Sequence, residues 1–294
     1  MIHAFIRLHA SEYPAAMACR VLGVSRSGYH ASLVRPESER AVADRALTAL
    51  VVASHAASRK TYGAPRILDD LRDVGHRVGQ RRVARLMRQA GLRGAFHPRK
   101  THHAGVPATV DGPDLVRRRF SAEAPDRVWC ADVKQVWTRQ GWVFLAAVID
   151  LYSRRIVGHA CGASATTALV DRAFTSALRR RRPESGLVHH SDRGAAYVSG
   201  PFLSSLAAAG ALRSLSRPGT PLDNAVIESF FSTLERELLA RARYVTRAEA
   251  RSSLFDYIEV FYNRQRKHST LGYLSPATFE ARSSTPSGVS TEAT

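Results

Sequence analysis

The chain has 294 residues, 45% of them hydrophobic, enough for a full core and two or three domains. No apolar run reaches the roughly 18 residues that span a bilayer. The opening MIHAFIRLHASEY lacks the long apolar stretch and cleavage site of a secretion signal, and three scattered cysteines (Cys19, Cys130, Cys161) exclude a disulfide framework or a four-cysteine zinc site, so a cytoplasmic location is expected. Lys and Arg number 43 against 25 acids, and the net charge of +18 points to a polyanionic partner, nucleic acid first among them.

Residues 1–58 read as an N-terminal helical region. Within it AMACRVLGVSRSGYHASL resembles a helix-turn-helix, with Gly23 at the turn and Ser25 capping the second helix. An Ala-rich helix follows over 37–58, its apolar spacing carried by Val42, Ala46, Leu47 and Leu50. Residues 59–100 hold twelve basic residues against three acids, and arginine's planar fork suits phosphates and guanine edges. Pro65 fits the first turn of a helix that Gly75 ends. Val83, Leu86, Met87 and Ala90 stripe the next helix, which stops at Gly91. Arg66, Arg81, Arg82, Arg85 and Arg88 are the candidate DNA contacts of this segment; a helical bundle with a solvated basic face is the blander reading. Residues 101–126 lack periodicity and read as a linker. His97, His102 and His103 have no cysteine pair at finger spacing, so surface histidines are expected rather than zinc ligands.

From residue 127 to 282 the pattern is that of an α/β domain. RVWCADVKQVW, GWVFLAAVID and RRIVGHACG read as three antiparallel strands. SATTALVDRAFTSALRRRR is a helix, GLVHHS a fourth strand, YVSGPFLSSLAAAG a helix and ALRSLS a fifth strand, which makes a mixed five-stranded sheet. RPGTPLDN leads into a helix striped by Ile227, Phe230, Phe231, Leu234 and Leu238, and another helix runs from about residue 246 to 263. The tail, 283–294, has a disordered composition.

Three carboxylates stand out. Asp132 lies mid-strand beside Trp129, Cys130 and Val133, where burying its charge is costly unless a cation pairs it. Asp192 ends the fourth strand, and Glu228 follows it with thirty-five residues between, one helical turn after Asn224. Taken singly, each has an ordinary structural reading, as an edge, turn or helix residue. Together, three acids converging on one point need cations, and two divalent ions held so can drive phosphodiester chemistry.

The flanking residues make the pattern specific. DRVWCADVKQVWTRQGWVFLAAVIDLYSRRIVGH, VHHSDRGAAYVS, RPGTPLDNAVIESFFSTLERE and the closing YNRQRKHSTLGYLSPATFE occur in order, preceded by YGAPRI. From about residue 15 to 282 the chain resembles the OrfB product of bacterial insertion sequences whose transposase is encoded in two reading frames, with a catalytic core of the retroviral-integrase superfamily. The resemblance implies a ribonuclease-H-like core preceded by a small all-α DNA-binding region. It implies Asp132, Asp192 and Glu228 as catalytic residues and ligands of two Mg²⁺ ions, for which Mn²⁺ can substitute. The implied reaction nicks transposon ends and joins the 3′ hydroxyl to DNA, by in-line displacement without a covalent enzyme intermediate. Implied partners are terminal inverted repeats and target DNA, a second copy of the chain on DNA, and the upstream-frame product, to which this chain is expected to be fused. A nucleoid-associated location follows. Lys134, Gln135 and His159 depart from the usual residues, away from the three acids. Arg193 and Asn224 are candidates for DNA contact near the scissile phosphate, and Asn263, Arg266, Lys267 and His268 for phosphate binding by a basic patch. Asp150 is expected to be structural or to support a metal ligand from behind, with direct metal contact the lesser alternative. The rival reading is a catalytically inactive, DNA-binding repressor derived from such an element.

Overall fold

The computed structural model describes residues 2–34, 36–96, 112–218 and 220–284. Three short helices come first: α1 (Ile2–Leu8), α2 (Ala15–Val21) and α3 (Arg26–Val34). Gly23 turns the chain between α2 and α3 at φ +66°, and Ser25 Oγ accepts the Gly28 N–H at 3.0 Å, as the sequence predicts for a cap. Their small core is Ile6, Cys19 and Tyr29.

Helix α4 (Glu39–Ala57) starts at Ser38, whose side chain accepts from Ala41 N. Its buried face is Leu47, Val51 and His55, so of the predicted stripe only Leu47 faces the core. Val42 and Leu50 are 44% and 37% exposed, because an Ala- and Val-rich helix offers several apolar faces and the neighbours choose one. Those neighbours are α5 (Ala64–Asp73), with Pro65 in its first turn, and α6 (Gln80–Gln89). Ile67, Leu68 and Leu71 from α5 meet Val83, Leu86 and Met87 from α6, whereas Ala90 stays exposed. Gly75 and Gly91 end the two helices at φ +85° and +68°. The three histidines at 97, 102 and 103 and residues 101–111 of the predicted linker lie outside the described residues. The described remainder of that linker has no regular element, but it lies against the next domain. Leu115 N–H donates to Ser214 Oγ, Leu215 N–H donates to the Pro113 carbonyl, and Val116 is buried.

The sheet holds β1 (Val128–Thr138), β2 (Gly141–Asp150), β3 (Ile156–Gly162), β4 (Val188–Ser191) and β5 (Leu212–Leu215), in the order β3-β2-β1-β4-β5. The first three are antiparallel, and β4 and β5 run parallel to β1. The parallel pairs need crossovers, which α7 (Thr167–Arg181) and α8 (Gly200–Ala208) supply on one face. That face buries Trp129, Ala131, Ala146 and Val148 against Val170, Phe174 and Phe202. The other face carries Cys130, Leu145, Ala147 and Ile149. It packs on α9 (Ala225–Glu237) and α10 (Arg247–Phe255), and α10 continues as a π-helix over Asp256–Tyr262. A last helix, α11, covers Pro276–Ser284. Residues 285–294 of the predicted disordered tail lie outside the described residues. Asp150 is buried and structural: its carboxylate accepts from Asp126 N, Ser153 N and Ser153 Oγ at 2.8–2.9 Å, and so locks the β2–β3 turn.

The basic helices sit directly on this core. The Lys267 ammonium lies 2.6, 3.1 and 2.5 Å from the carboxylates of Asp69, Asp70 and Asp73 on α5. Lys267 N–H donates to Tyr62 Oη at 2.8 Å, and Arg66 Nε donates to the Lys267 carbonyl at 2.8 Å. Arg59 reaches Asp256 at 2.6 Å.

At Gly158 on β3, an added Cβ would lie 2.3 Å from the Ala173 carbonyl and 2.7 Å from Ala177 Cβ, so α7 rests on bare backbone. Gly158→Ala is expected to destabilise the protein by about 1–3 kcal/mol through overpacking. Gly200→Ala, at a site with open space around it, should be neutral within about 0.5 kcal/mol. Urea midpoints of the two variants check this; equal midpoints would contradict it.

Candidate active site and DNA-binding surface

The parallel pairing of β1 with β4 sets the site. Trp129 pairs with His189 and Cys130 with His190, and the same register carried two residues further brings Asp132 level with Asp192. The ladder itself stops at Cys130, and the two aspartates stand just past that point. Asp132 Oδ1 accepts Val133 N–H at 2.6 Å, and Asp192 Oδ1 accepts Gly194 N–H at 2.9 Å. At Gly194 a Cβ would sit 2.9 Å from Asp192 Oδ1, so a side chain there would displace that carboxylate.

Glu228 comes from the first turn of α9, which is tied to β1 immediately beside Asp132. Asn224, 4% exposed, donates its Nδ2 to the Ala131 carbonyl at 3.0 Å. The loop before α9 is clamped at Asp223, whose buried carboxylate takes Arg217 Nε and Arg118 Nε, each at 2.8 Å. These guanidinium partners, Arg217 first, hold the Asp223 carboxyl well below the usual range. His190 adds a third tie: one ring nitrogen lies 2.8 Å from Ser214 Oγ, the other 3.1 Å from the Asp223 carbonyl. Sequence reasoning misses this clamp; its one visible sign is an Arg and an Asp flanking the Pro-Gly loop between β5 and α9.

The charges of Asp192 and Glu228 both bear on Asp132. Burial, and then the neighbouring charge of Asp192, push Asp132 up to about 7; Glu228 raises it further, and the Val133 N–H opposes. Among the described residues no three His, Cys, Asp or Glu side chains close into a metal-sized cluster. Hard oxygen donors with mutual repulsion to relieve fit a divalent cation such as Mg²⁺.

The other predicted contacts divide by burial. Arg81 and Arg88 are exposed on α6, and Arg88 lines a groove of about 620 Å³ with Arg93, Gly63, Gly91 and Gly94. Arg82 and Arg85 instead pair with Asp44 of α4 at 2.7 and 2.6 Å. Arg66 is committed to the Lys267 carbonyl, and half-buried Arg193 donates Nε to the Ser216 carbonyl at 2.9 Å. The predicted phosphate-binding patch needs correction. Asn263 is buried and exchanges two hydrogen bonds with the Ile156 backbone. Arg266, 4% exposed, makes a two-pronged pair with Glu237, both contacts at 2.8 Å. His268 is buried against Tyr262, and Lys267 is neutralised by three aspartates. Asn224 too is an internal tie rather than an exposed contact. A polar, basic string in sequence cannot display the acids that meet it from far along the chain.

Comparison with known proteins agrees with this architecture. Integrase core domain families match residues 122–221 and 210–276, and an HTH-like domain family matches 42–100. The chain is 40% identical over 268 residues to the 31 kDa protein of insertion element IS600 from Shigella sonnei, covering 90% of this chain and 97% of that one. It is 35% identical over 286 residues to the transposase InsF for insertion sequence IS3A of Escherichia coli, covering 95% and 98%. The chain belongs to the OrfB-type transposases of bacterial insertion sequences. The fold of this transposase is the ribonuclease-H-like integrase core, preceded by an all-helical DNA-binding unit. Solved structures similar to it include a simian T-cell lymphotropic virus intasome in complex with a PP2A regulatory subunit (12% identity, TM-score 0.46, 78% of this chain and 74% of that one). Another is the HTLV-2 integrase catalytic core in complex with magnesium (16% identity, TM-score 0.41, 54% and 98%). Among the described residues no helix is long and apolar enough to cross a membrane.

The raised Asp132 has a consequence for stability. A carboxyl whose folded pKa lies near 7 and whose ordinary value is 3.8 holds its proton better when folded. Ionisation therefore lowers stability as pH rises through that window, and the penalty is complete above it. In EDTA, Asp132→Asn should be more stable than wild type at pH 8, with the margin shrinking toward pH 4. Thermal melts across this range check it, and a margin that grows on acidification would refute it.

Proposed function

We propose that this transposase is a DNA strand transferase in which Asp132, Asp192 and Glu228 are the catalytic carboxylates. The observation that supports it most directly is the single electrostatic site: a buried aspartate on β1 raised by the charges of an aspartate past β4 and a glutamate on α9. Two Mg²⁺ ions, or Mn²⁺ in their place, held by these oxygens would supply charge neutralisation at the scissile phosphate and at the attacking and leaving oxygens. The chain's own residues do the positioning. Asn224 holds the start of α9 to β1, and the Asp223 clamp fixes the loop that leads into it. The product of nicking is a 3′ hydroxyl, which the same site then joins to a second DNA. Terminal repeats bind to the helical unit, with Arg81 and Arg88 on phosphates. Assembly on DNA is as a homo-oligomer, and an upstream-frame product fused to this chain takes part.

Asp132→Asn, Asp192→Asn and Glu228→Gln should each reduce cleavage and strand transfer to background while DNA affinity persists, since an amide keeps the shape but loses the charge. Joining of donor ends by purified Asp192→Asn at near the wild-type rate would overturn the assignment.

Arg81→Ala with Arg88→Ala should weaken binding to repeat-end DNA. It should also flatten the log–log salt dependence by about 0.9 for each phosphate that is no longer neutralised. Filter binding over a salt series measures both, and an unchanged slope would exclude these arginines from the interface.

A further inference from the structure

Two of the three tryptophans have no place in the core. Trp129 is fully buried, its Nε1 donating to Asp126 at 3.0 Å. Trp137 and Trp142 are 60% and 44% exposed. They are directly paired positions of β1 and β2, beside the hairpin tip, with ring centroids 4.9 Å apart at 70°. Directly opposed side chains share a sheet face, and neither ring joins the apolar cluster under α7 and α8. Such pairs can exist merely to hold a hairpin. This tip is already held by other means: Thr138 Oγ1 donates to the Gly141 carbonyl at 2.6 Å, Arg247 N–H to Gln140 Oε1 at 3.1 Å, and Arg139 N–H to the Tyr244 carbonyl at 3.1 Å.

The surroundings are cationic. Arg139 lies exposed in the turn itself, and exposed Arg243 lies on the segment that runs beside it. The acid of that segment, Glu249, is occupied in capping Val245 and Thr246 N–H. Exposed aromatic faces on a rigid hairpin, with exposed arginines in its turn and on the adjoining segment, suit a polyanion that also carries flat faces. In a duplex, base faces are already stacked on one another; in unpaired DNA they are free.

We propose that Trp137 and Trp142 form a stacking platform for unpaired bases of single-stranded or frayed DNA. The inference rests on the reading above only for the presence of opened DNA; the contact itself is measured without catalysis. Full-length Asp192→Asn protein is titrated with a short oligothymidylate, and with a strand of equal length whose positions are abasic. Tryptophan emission and fluorescence anisotropy are followed. The normal strand should quench the exposed pair, and the abasic strand should not. Replacing both tryptophans by Ala should weaken binding of the normal strand by at least about fivefold, and replacing both by Phe should restore most of it. Affinity for duplex should not change. Circular dichroism and the emission of Trp129 report whether each variant is folded. Wild-type affinity in the Ala variant would overturn the proposal. So would a shift from dimer to monomer in sedimentation with DNA binding intact, which would make the pair a contact between copies. Strand joining by the wild-type chain is assayed separately, so an inactive enzyme would sink the proposed function without touching the stacking result.

Discussion

The buried pair between Arg266 and Glu237 holds the architecture together. Glu237 ends α9, the helix that begins next to Glu228, and Arg266 lies just past the π-helical extension of α10. Both side chains are 5% exposed, so each has given up hydration and depends on the other. Removing one partner of such a pair typically costs about 3–5 kcal/mol, more than the worth of the contact itself, because the survivor is a stranded charge. The next residue, Lys267, fastens α5 through three carboxylates. One short segment therefore fixes the far end of the glutamate-bearing helix and the seat of the DNA-binding helices.

What sequence can reveal follows from range. The strands are local and periodic: β1 and β2 alternate between two apolar faces, and Gly141 at φ +98° marks the turn between them. The three acids can be singled out as candidates because each sits in a motif that spans only a few residues. The segment from Asn263 to His268 misleads because its partners lie far away: Ile156, Glu237 and the aspartates of α5. Helix α4 misleads for another reason. Leu50 and Val51 are chemically near-equivalent, and packing against α5 and α6 buries one and leaves the other exposed.

Charge is partitioned unevenly over the molecule. The chain is strongly basic overall, yet its acids are concentrated where they oppose specific cations or one another. Asp44, Asp223 and Glu280 each take two arginines. Asp132, Asp192 and Glu228 instead share a site where the charges that shift Asp132 most are negative. On the proposed function, a phosphodiester drawn in by the general positive field would meet a locally negative pocket, a combination productive only with cations between the two.

The step from antiparallel to parallel pairing at β1 restricts how such a chain can change over time. Asp132 and Asp192 are level because 128–130 and 188–190 are locked in one register and each aspartate stands two residues further on. An insertion or deletion of a single residue inside either stretch would turn its aspartate to the opposite face of the sheet. The connection through α7 is under no such rule and can lengthen or shorten freely. Length variation among descendants of this chain should thus collect in the crossovers and stop abruptly at the two strand ends.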